Sequence, residues 1–293
     1  MSDLNITSPD GPAREPSIGA LISQTRNLSA EQVEQVLAYQ RAHGLRFGDA
    51  AVKLGFASTD DVLFALAQQF QYPLAPSAGP APSPELVSLS QPFGVQAEAF
   101  RAARSQLLMR LQQEGRERRA LAVVSPEVGD GKSFFCANLA VALAQLGGRT
   151  LLIDADLRGP RQHELFHLEG EGGRTGLADI LSGRAGQGVI RQVTGVPSLF
   201  VLPVGTPPPN PLELVERPAF GLLLRDLLGR FDHVLIDTPA AALGSDGTVI
   251  AARAGAAVVL ARRHASRLAS LQALVGSFDH SPAEILGVIL NEH

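Results

Sequence analysis

The stretch Val123–Phe135, VVSPEVGDGKSFF, decides how the rest of the chain is read. Gly131, Lys132 and Ser133 end it as they end the phosphate-loop pattern G-x-x-x-x-G-K-[ST]. Counting back, the first glycine of that pattern falls at position 126, where this chain has Pro126. The surroundings still suit a phosphate cradle. RALAVV (119–124) is an apolar strand, and FFCANLAVALAQLGG is a helical stretch that stops at Gly147 and Gly148. Gly129 and Gly131, flanking Asp130, let backbone N–H groups converge on phosphate oxygens with no Cβ in the way. The helix N-terminus adds its partial positive charge. In that reading Lys132 reaches the β- and γ-phosphates, the Ser133 hydroxyl binds Mg²⁺, and Phe134 completes the nucleotide-contacting run that begins at Gly129.

Two further segments strengthen the assignment. LLIDADLRGPR (151–161) is an apolar strand that ends in Asp154, Asp156 and Arg158, and HVLIDTP (233–239) is one that ends in Asp237. Any one of these aspartates alone reads as a turn or cap. Three of them, at the tips of apolar strands that follow a phosphate loop, supply the hard oxygen ligands that Mg²⁺ takes. Asp156 and Asp237 are the candidate metal-holding carboxylates. Asp154 is the candidate group to accept a proton or orient a water, and Lys132, Asp154 and Asp156 form the candidate catalytic set.

Further apolar runs, SLFVLPV (198–204), AAVVLA (256–261) and ILGVILN (285–291), alternate with helical stretches. Strands apolar on both faces imply an α/β fold, a mostly parallel sheet covered by helices on both sides. EAFRAARSQLLMRLQQ (98–113) reads as a helix before the first strand. The chain of 293 residues has a net charge of −4, so no basic face points to nucleic acid. Cys136 is its sole cysteine, which excludes an internal disulfide and fits a reducing compartment. No apolar run approaches the roughly 20 residues that span a bilayer, and the N-terminus lacks a secretory pattern. The expectation is a cytoplasmic protein without direct membrane insertion.

Residues 1–16, rich in Pro, Ser, Asp and Gly, read as disordered. Residues 17–74 hold a tandem repeat: segments 18–40 and 47–69 align at an offset of 29, matching Gly19 with Gly48, Ser29 with Ser58, Val33 with Val62, and Leu37 with Leu66. Each copy places a serine N-cap before an acidic first turn, and Ser29 with Gln32 makes a capping box. A small helical domain with one shared core follows. The segment 75–92, beginning in APSAGPAPSP, reads as a linker.

The set S-x-x-x-G-D-G-K-S, LLIDADLRGPR and VLIDTP resembles the Walker A, Walker A′ and Walker B motifs of the bacterial tyrosine kinases, relatives of the MinD/ParA ATPases. Their loop reads S-x-x-P-G-E-G-K-S, with no glycine where Pro126 stands. MinD/ParA proteins carry a signature lysine where this chain has Glu127, which favours the kinase branch. GLADILSGR (176–184) and LPVGTPPPNPLELVE (202–216) match the family as well, so that residues 93–293 form its P-loop, MinD/ParA-like domain. The resemblance implies ATP and Mg²⁺ as cofactors and transfer of phosphate to a tyrosine hydroxyl. It implies a ring-forming homo-oligomer through Glu98, Arg101 and Arg104 of EAFRAAR, and an adenine contact at Asn291. It also implies a separate Wzz-like membrane activator that controls exopolysaccharide chain length and recruits the chain to the inner membrane, as in EpsG-type kinases. The family's tyrosine-rich tail has no counterpart here; the two tyrosines are Tyr39 and Tyr72. Residues 17–74 resemble the MshEN domain, some of which bind cyclic-di-GMP. The second copy keeps Arg46, Gly48, Gly55 and Gln69, while the first has Ser17 and Arg26 at the Arg and Gly positions.

A non-kinase assembly ATPase of the MinD/ParA type, or a regulatory module with cyclic-di-GMP input, are the alternatives. Arg158 is left between phosphate contact across a subunit boundary and pairing with an acid. Cys136 reads as a small buried residue, His163 and His167 as one exposed helix face, and Arg262, Arg263 and Arg267 as solvated charge.

Overall fold

The computed structural model describes residues 17–69, 83–112, 115, 117–168 and 175–292. The expected disordered leader and residues 70–82, with Tyr72 among them, lie outside these. The chain divides into two compact units, residues 1–74 and 75–293.

The first unit contains α1 (Ile18–Thr25), α2 (Ala30–His43), α3 (Phe47–Lys53) and α4 (Thr59–Gln69). Both helix pairs begin at the same 29-residue offset, so the sequence repeat is a structural one. Ser29 and Gln32 form the reciprocal capping box. Ser58 and Asp61 repeat it, with Asp61 Oδ2 accepting from Ser58 N at 2.6 Å and Ser58 Oγ accepting from Asp61 N at 3.2 Å. Val36, Ala50 and Ala51 form the shared core, with Tyr39 packed against it. The copies differ where the sequences do. Gly55 takes a left-handed φ of 72°, whereas Arg26, its counterpart, sends its guanidinium to Asp61 of the other copy at 2.7 Å.

The second unit begins before its expected start. Short α5 (Val87–Ser90) precedes α6 (Val95–Leu111). Then come β1 (Ala120–Val124), α7 (Lys132–Ala144), β2 (Thr150–Asp154), α8 (Gln162–Leu165), α9 (Leu177–Leu181), β3 (Arg191–Gln192) and β4 (Leu199–Leu202). The chain continues through α10 (Pro211–Glu216), α11 (Pro218–Arg230), β5 (His233–Asp237), α12 (Asp246–Ala254), β6 (Gly255–Arg262), α13 (Leu268–Gly276) and β7 (Glu284–Asn291). The strands form one sheet in the order β3-β4-β2-β5-β1-β6-β7. All pairs are parallel except β3 with β4.

The continuous apolar strands have the expected cause. Along β1, Ala120, Ala122 and Val124 enter one core, with Leu177, Leu214, Phe220, Leu224 and Ile250 from α9 to α12. Leu121 and Val123 enter the other, with Phe100 of α6 and Leu139, Val141 and Leu143 of α7. Each face of the sheet buries its own helical layer, so neither set of alternate positions can be polar.

The linker expected over 75–92 ends by Ser83. Leu86, Val87 and Leu89 are buried in the α6–α7 core. Asn138 of α7, fully buried, accepts from Ser88 N at 2.9 Å and donates to Glu85 O at 2.8 Å. Gln145 Nε2 donates to Ser88 O at 3.1 Å. The Pro/Ala/Ser-rich composition hides a docked segment whose polar backbone is satisfied by α7. Asn138→Ala leaves the buried Ser88 N–H and the half-buried Glu85 carbonyl unpaired, and the expected loss is about 2–6 kcal/mol at roughly 1–3 per orphaned group. Urea unfolding checks this; an unchanged midpoint would separate the segment from the core.

Candidate nucleotide site

The strand order brings three loops to one end of the sheet. β1 lies next to β5, and β5 next to β2, with Val123 opposite Asp237 and Asp237 opposite Asp154. Two carboxylates at adjacent strand tips are thus side by side, next to the turn that follows β1. That turn is the topological switch region, where loops splay apart and leave a crevice.

In the turn, Gly129 and Gly131 adopt φ of 87° and 94°. A Cβ at Gly131 would stand 2.4 Å from Asn291 Nδ2, whereas nothing lies within 4 Å of one at Gly129. Gly131 therefore serves both the turn and the close approach of β7, and Gly129 serves the turn. Pro126 needs no left-handed backbone. It is buried, and its carbonyl accepts from Ala242 N at 3.0 Å, which ties the loop to the segment after β5. Gly131 ends the turn, and Lys132 begins α7. The Lys132 side chain is 6 % exposed, with Nζ donating to Ser125 Oγ at 3.1 Å. Ser125, the first residue of the loop motif, acts as a rest for the lysine, a role the motif's spacing alone did not reveal.

Asp154 and Asp237 are fully buried. Asp154 Oδ1 accepts from Asp156 N at 3.2 Å and Oδ2 from Gln162 N at 3.0 Å. Burial, followed by the negative charge of Asp237, pushes the Asp154 carboxyl well above the ordinary range. Burial raises Asp237 too, against hydrogen bonds from Gln162 and Ser133 and the charge of Lys132. The Ser133 hydrogen bond places Ser133 beside Asp237, as a shared metal site requires. Asp156 is 8 % exposed, and its Oδ1 accepts from Arg158 N at 3.2 Å and Gly159 N at 2.9 Å, which fixes the turn after β2. Cys136 lies beneath, buried, with Sγ 3.7 Å from Asp237 Oδ1. Burial and the adjacent carboxylate raise its thiol, so it stays protonated and unreactive.

The other residues singled out in the sequence have definite partners, and some differ from expectation. The Asp130 carboxylate is 1 % exposed, accepts from Glu127 N at 2.8 Å and from Ser266 Oγ at 2.6 Å, and braces the loop, which leaves its backbone N–H as the group it can offer a phosphate. Its backbone carbonyl accepts from Asn291 Nδ2 at 3.0 Å, so Asn291 reaches the phosphate loop itself. The Phe134 ring packs edge-on to Phe100 at 5.8 Å. It lines, with Val95, Leu290 and Asn291, a groove of about 340 Å³. Of the two readings of Arg158, the structure shows the acid pairing, with NH2 3.1 Å from Asp246 Oδ2. Arg262 is not merely solvated, since NH1 donates to Gly129 O at 3.4 Å, and Arg263 pairs with Glu292 at 2.8 Å. His167 lies beyond the end of α8 with φ of 50°, so it shares no helix face with His163.

Glu98, Arg101 and Arg104 do not form one outward stripe. Steps of three residues drift by about 60° each on an α-helix. Glu98 is 69 % exposed and pairs with Arg101 at 2.7 Å, and Arg101 NH1 donates to Pro92 O at 2.8 Å. Arg104 turns inward, donating to Ala142 O of α7 at 2.7 Å.

Gln162 was not foreseen. It is fully buried, and Nε2 donates to Asp237 Oδ2 at 2.8 Å and to Ser133 O at 3.1 Å. No motif marks it, because a glutamine after a Pro-Arg turn reads as a surface residue.

The donor set fits a magnesium nucleotide. Ser133, Asp154, Asp156 and Asp237 offer hard oxygens. Among the described residues no three His, Cys, Asp or Glu side chains could cage an ion alone. Mg²⁺ suits such a site, since it keeps several waters and takes its remaining ligands from phosphates.

The described residues contain no helix long and apolar enough to cross a membrane. Residues 121–293 match the CobQ/CobB/MinD/ParA nucleotide binding domain. The chain is 34 % identical over 207 residues to tyrosine-protein kinase Wzc of Salmonella typhimurium, covering 71 % of this chain and 28 % of that protein. It thus spans little more than a quarter of that relative. It is 35 % identical over 195 residues to tyrosine-protein kinase CpsD of Streptococcus agalactiae, covering 67 % of this chain and 82 % of CpsD. The kinase domain of Escherichia coli tyrosine kinase ETK superposes with a TM-score of 0.66 at 28 % identity, over 70 % of this chain and 79 % of that one. MinD of Pyrococcus horikoshii, solved with Mg-ADP, superposes with a TM-score of 0.52 at 25 % identity, over 60 % and 70 %. With a phosphate loop, paired strand-tip carboxylates and these relatives, the chain belongs to the CobQ/CobB/MinD/ParA nucleotide-binding family, among the bacterial tyrosine-protein kinases.

Proposed function

We propose that the chain binds ATP with Mg²⁺ and transfers the γ-phosphoryl group to a tyrosine hydroxyl of another protein. The observation that carries the reading is the register pairing of Asp154 with Asp237 beside a buried Lys132. Lys132 draws the β- and γ-phosphates, and Ser133, Asp156 and Asp237 hold Mg²⁺ and its waters. When bound, Mg²⁺ supplies charge neutralisation at the phosphates. In its ionised form Asp154, raised by burial and by Asp237, is a stronger proton acceptor than an ordinary carboxylate; it takes the tyrosine proton as the hydroxyl oxygen forms its bond to the γ-phosphorus and the bond from that phosphorus to the β–γ bridging oxygen breaks, with ADP leaving. The groove beside Phe134 and Asn291 is the site for the adenine ring. A cleft of about 430 Å³ between Glu127 and the hydroxyls of Ser245, Thr248 and Ser270 gives a peptide side chain room to approach.

The same reading makes the chain an EpsG-type regulator of exopolysaccharide polymerisation and chain length, acting with a Wzz-like membrane partner that recruits it to the inner membrane. Assembly into a ring uses Glu98 and the neighbouring α6 surface. Residues 17–74 act as a docking module of MshEN type. A second reading, hydrolysis in the service of assembly, is favoured by the presence of two tyrosines alone, Tyr39 and Tyr72, in the whole chain. Incubation with γ-labelled ATP, with and without the cytoplasmic segments of the membrane partner, separates the two. Phosphotyrosine on any protein is the expected result. Phosphate release without it supports the assembly ATPase, and absence of both overturns catalysis.

A further inference from the structure

Gln162 joins three parts of the nucleotide site. Its amide nitrogen spans the Asp237 carboxylate and the Ser133 carbonyl, while its backbone N–H serves Asp154 Oδ2. The side-chain orientation is fixed by this pattern, because a flipped amide would aim its oxygen at a carboxylate and a carbonyl. Both amide protons are therefore used. The oxygen is not: Oε1 is buried and accepts no hydrogen bond among the described residues. An idle buried acceptor is rare in folded proteins and marks the place of a polar partner. The nitrogen of the same amide touches Asp237 and the Ser133 carbonyl, two residues assigned above to Mg²⁺ and its waters.

We propose that Gln162 is a positioning residue for the hydrated divalent cation. Its amine end holds Asp237 and the first turn of α7 at a fixed separation, and Oε1 accepts a hydrogen bond from a water in the cation's shell. Such outer-shell partners set the orientation of the direct ligands, and their loss costs roughly 10–100-fold in metal affinity. The inference rests on the nucleotide reading, so the test must tell the two apart.

Gln162→Met keeps the length and volume of the side chain and removes both functions. Binding of Mn²⁺ to the protein in the presence of ADP, followed by the electron paramagnetic resonance signal of the free ion, is expected to weaken about tenfold or more in this variant. Unmodified protein that binds no ADP would overturn the nucleotide reading. Unmodified protein that binds Mn²⁺ and ADP, with the same ion affinity in Gln162→Met, would overturn the role of Gln162 alone. Should the variant not fold, a crystal structure of the unmodified protein with Mg-ADP decides. A water bound to both the ion and Oε1 is the expected result, and an Oε1 that still lacks a polar partner sinks the proposal.

Discussion

Lys132→Ala is expected to lose the labelled-phosphate signal almost entirely, with turnover lowered by about 10²–10³ or more. That is the scale of removing one fixed donor from a preorganised charged site. The lysine is buried and its Nζ rests on Ser125, so its charge is aimed before any ligand arrives and spends nothing on reorientation. Lys132→Arg should not restore activity. A planar guanidinium is larger than an ammonium and cannot take its slot under the loop. The variant has a second signature. Lys132 is one of the groups that lower the Asp237 carboxyl against burial, so its removal leaves Asp237 more protonated in the free protein. Release of labelled phosphate measures the first effect, and titration with a fluorescent ADP analogue and Mg²⁺ across a pH series measures the second. Lys132→Ala with turnover within tenfold of the parent would mean that the phosphates lie elsewhere.

How much of this site could be read from sequence depends on whether a residue's role is set locally. The strand-tip aspartates were legible because apolar runs fix strand ends, and parallel strands put those ends on one edge. Gly129 and Gly131 were legible because only glycine takes their backbone angles cheaply. Residues whose role depends on what folds against them were not. Asp130 sits inside the loop motif, yet Ser266, over a hundred residues later, turns it backwards. Gln162 looks like a surface glutamine until α7 and β5 close over it. Arg104 shares a three-residue spacing with Arg101, but helix rotation sends it towards α7. The docked segment around Leu86–Leu89 was hidden by the Pro-rich composition before it, and the two-residue β3 is too short to carry a period. Tertiary context overrode local pattern at each of these positions.

Asp154→Asn should separate chemistry from stability. Turnover is expected to fall by about 10²–10⁴, the contribution of a positioned proton acceptor, because an amide takes up no proton. The stability of the nucleotide-free protein should respond with a defined dependence on pH. Both Asp154 oxygens accept backbone N–H groups, from Asp156 and Gln162, and an amide can satisfy only one of them. That loss costs about 1–3 kcal/mol at every pH. Against it stands the buried charge. The folded-state pKa of Asp154 lies above its unfolded value of about 3.9. The native state therefore holds the proton more tightly than the unfolded chain. This site's contribution to stability is intact below about pH 4 and is lost as pH rises towards the raised folded value. Asparagine has no charge to desolvate and no repulsion with Asp237. Relative to the parent, Asp154→Asn should therefore be least stable near pH 4–5, and it should gain on the parent steadily towards pH 8. Thermal melts of both proteins in a pH series, without nucleotide, measure the difference. A gap between the two that stays constant across the series would show that the Asp154 carboxyl is not raised in the folded, nucleotide-free protein, and the turnover of Asp154→Asn, if it stayed within tenfold of the parent, would remove Asp154 as the proton acceptor.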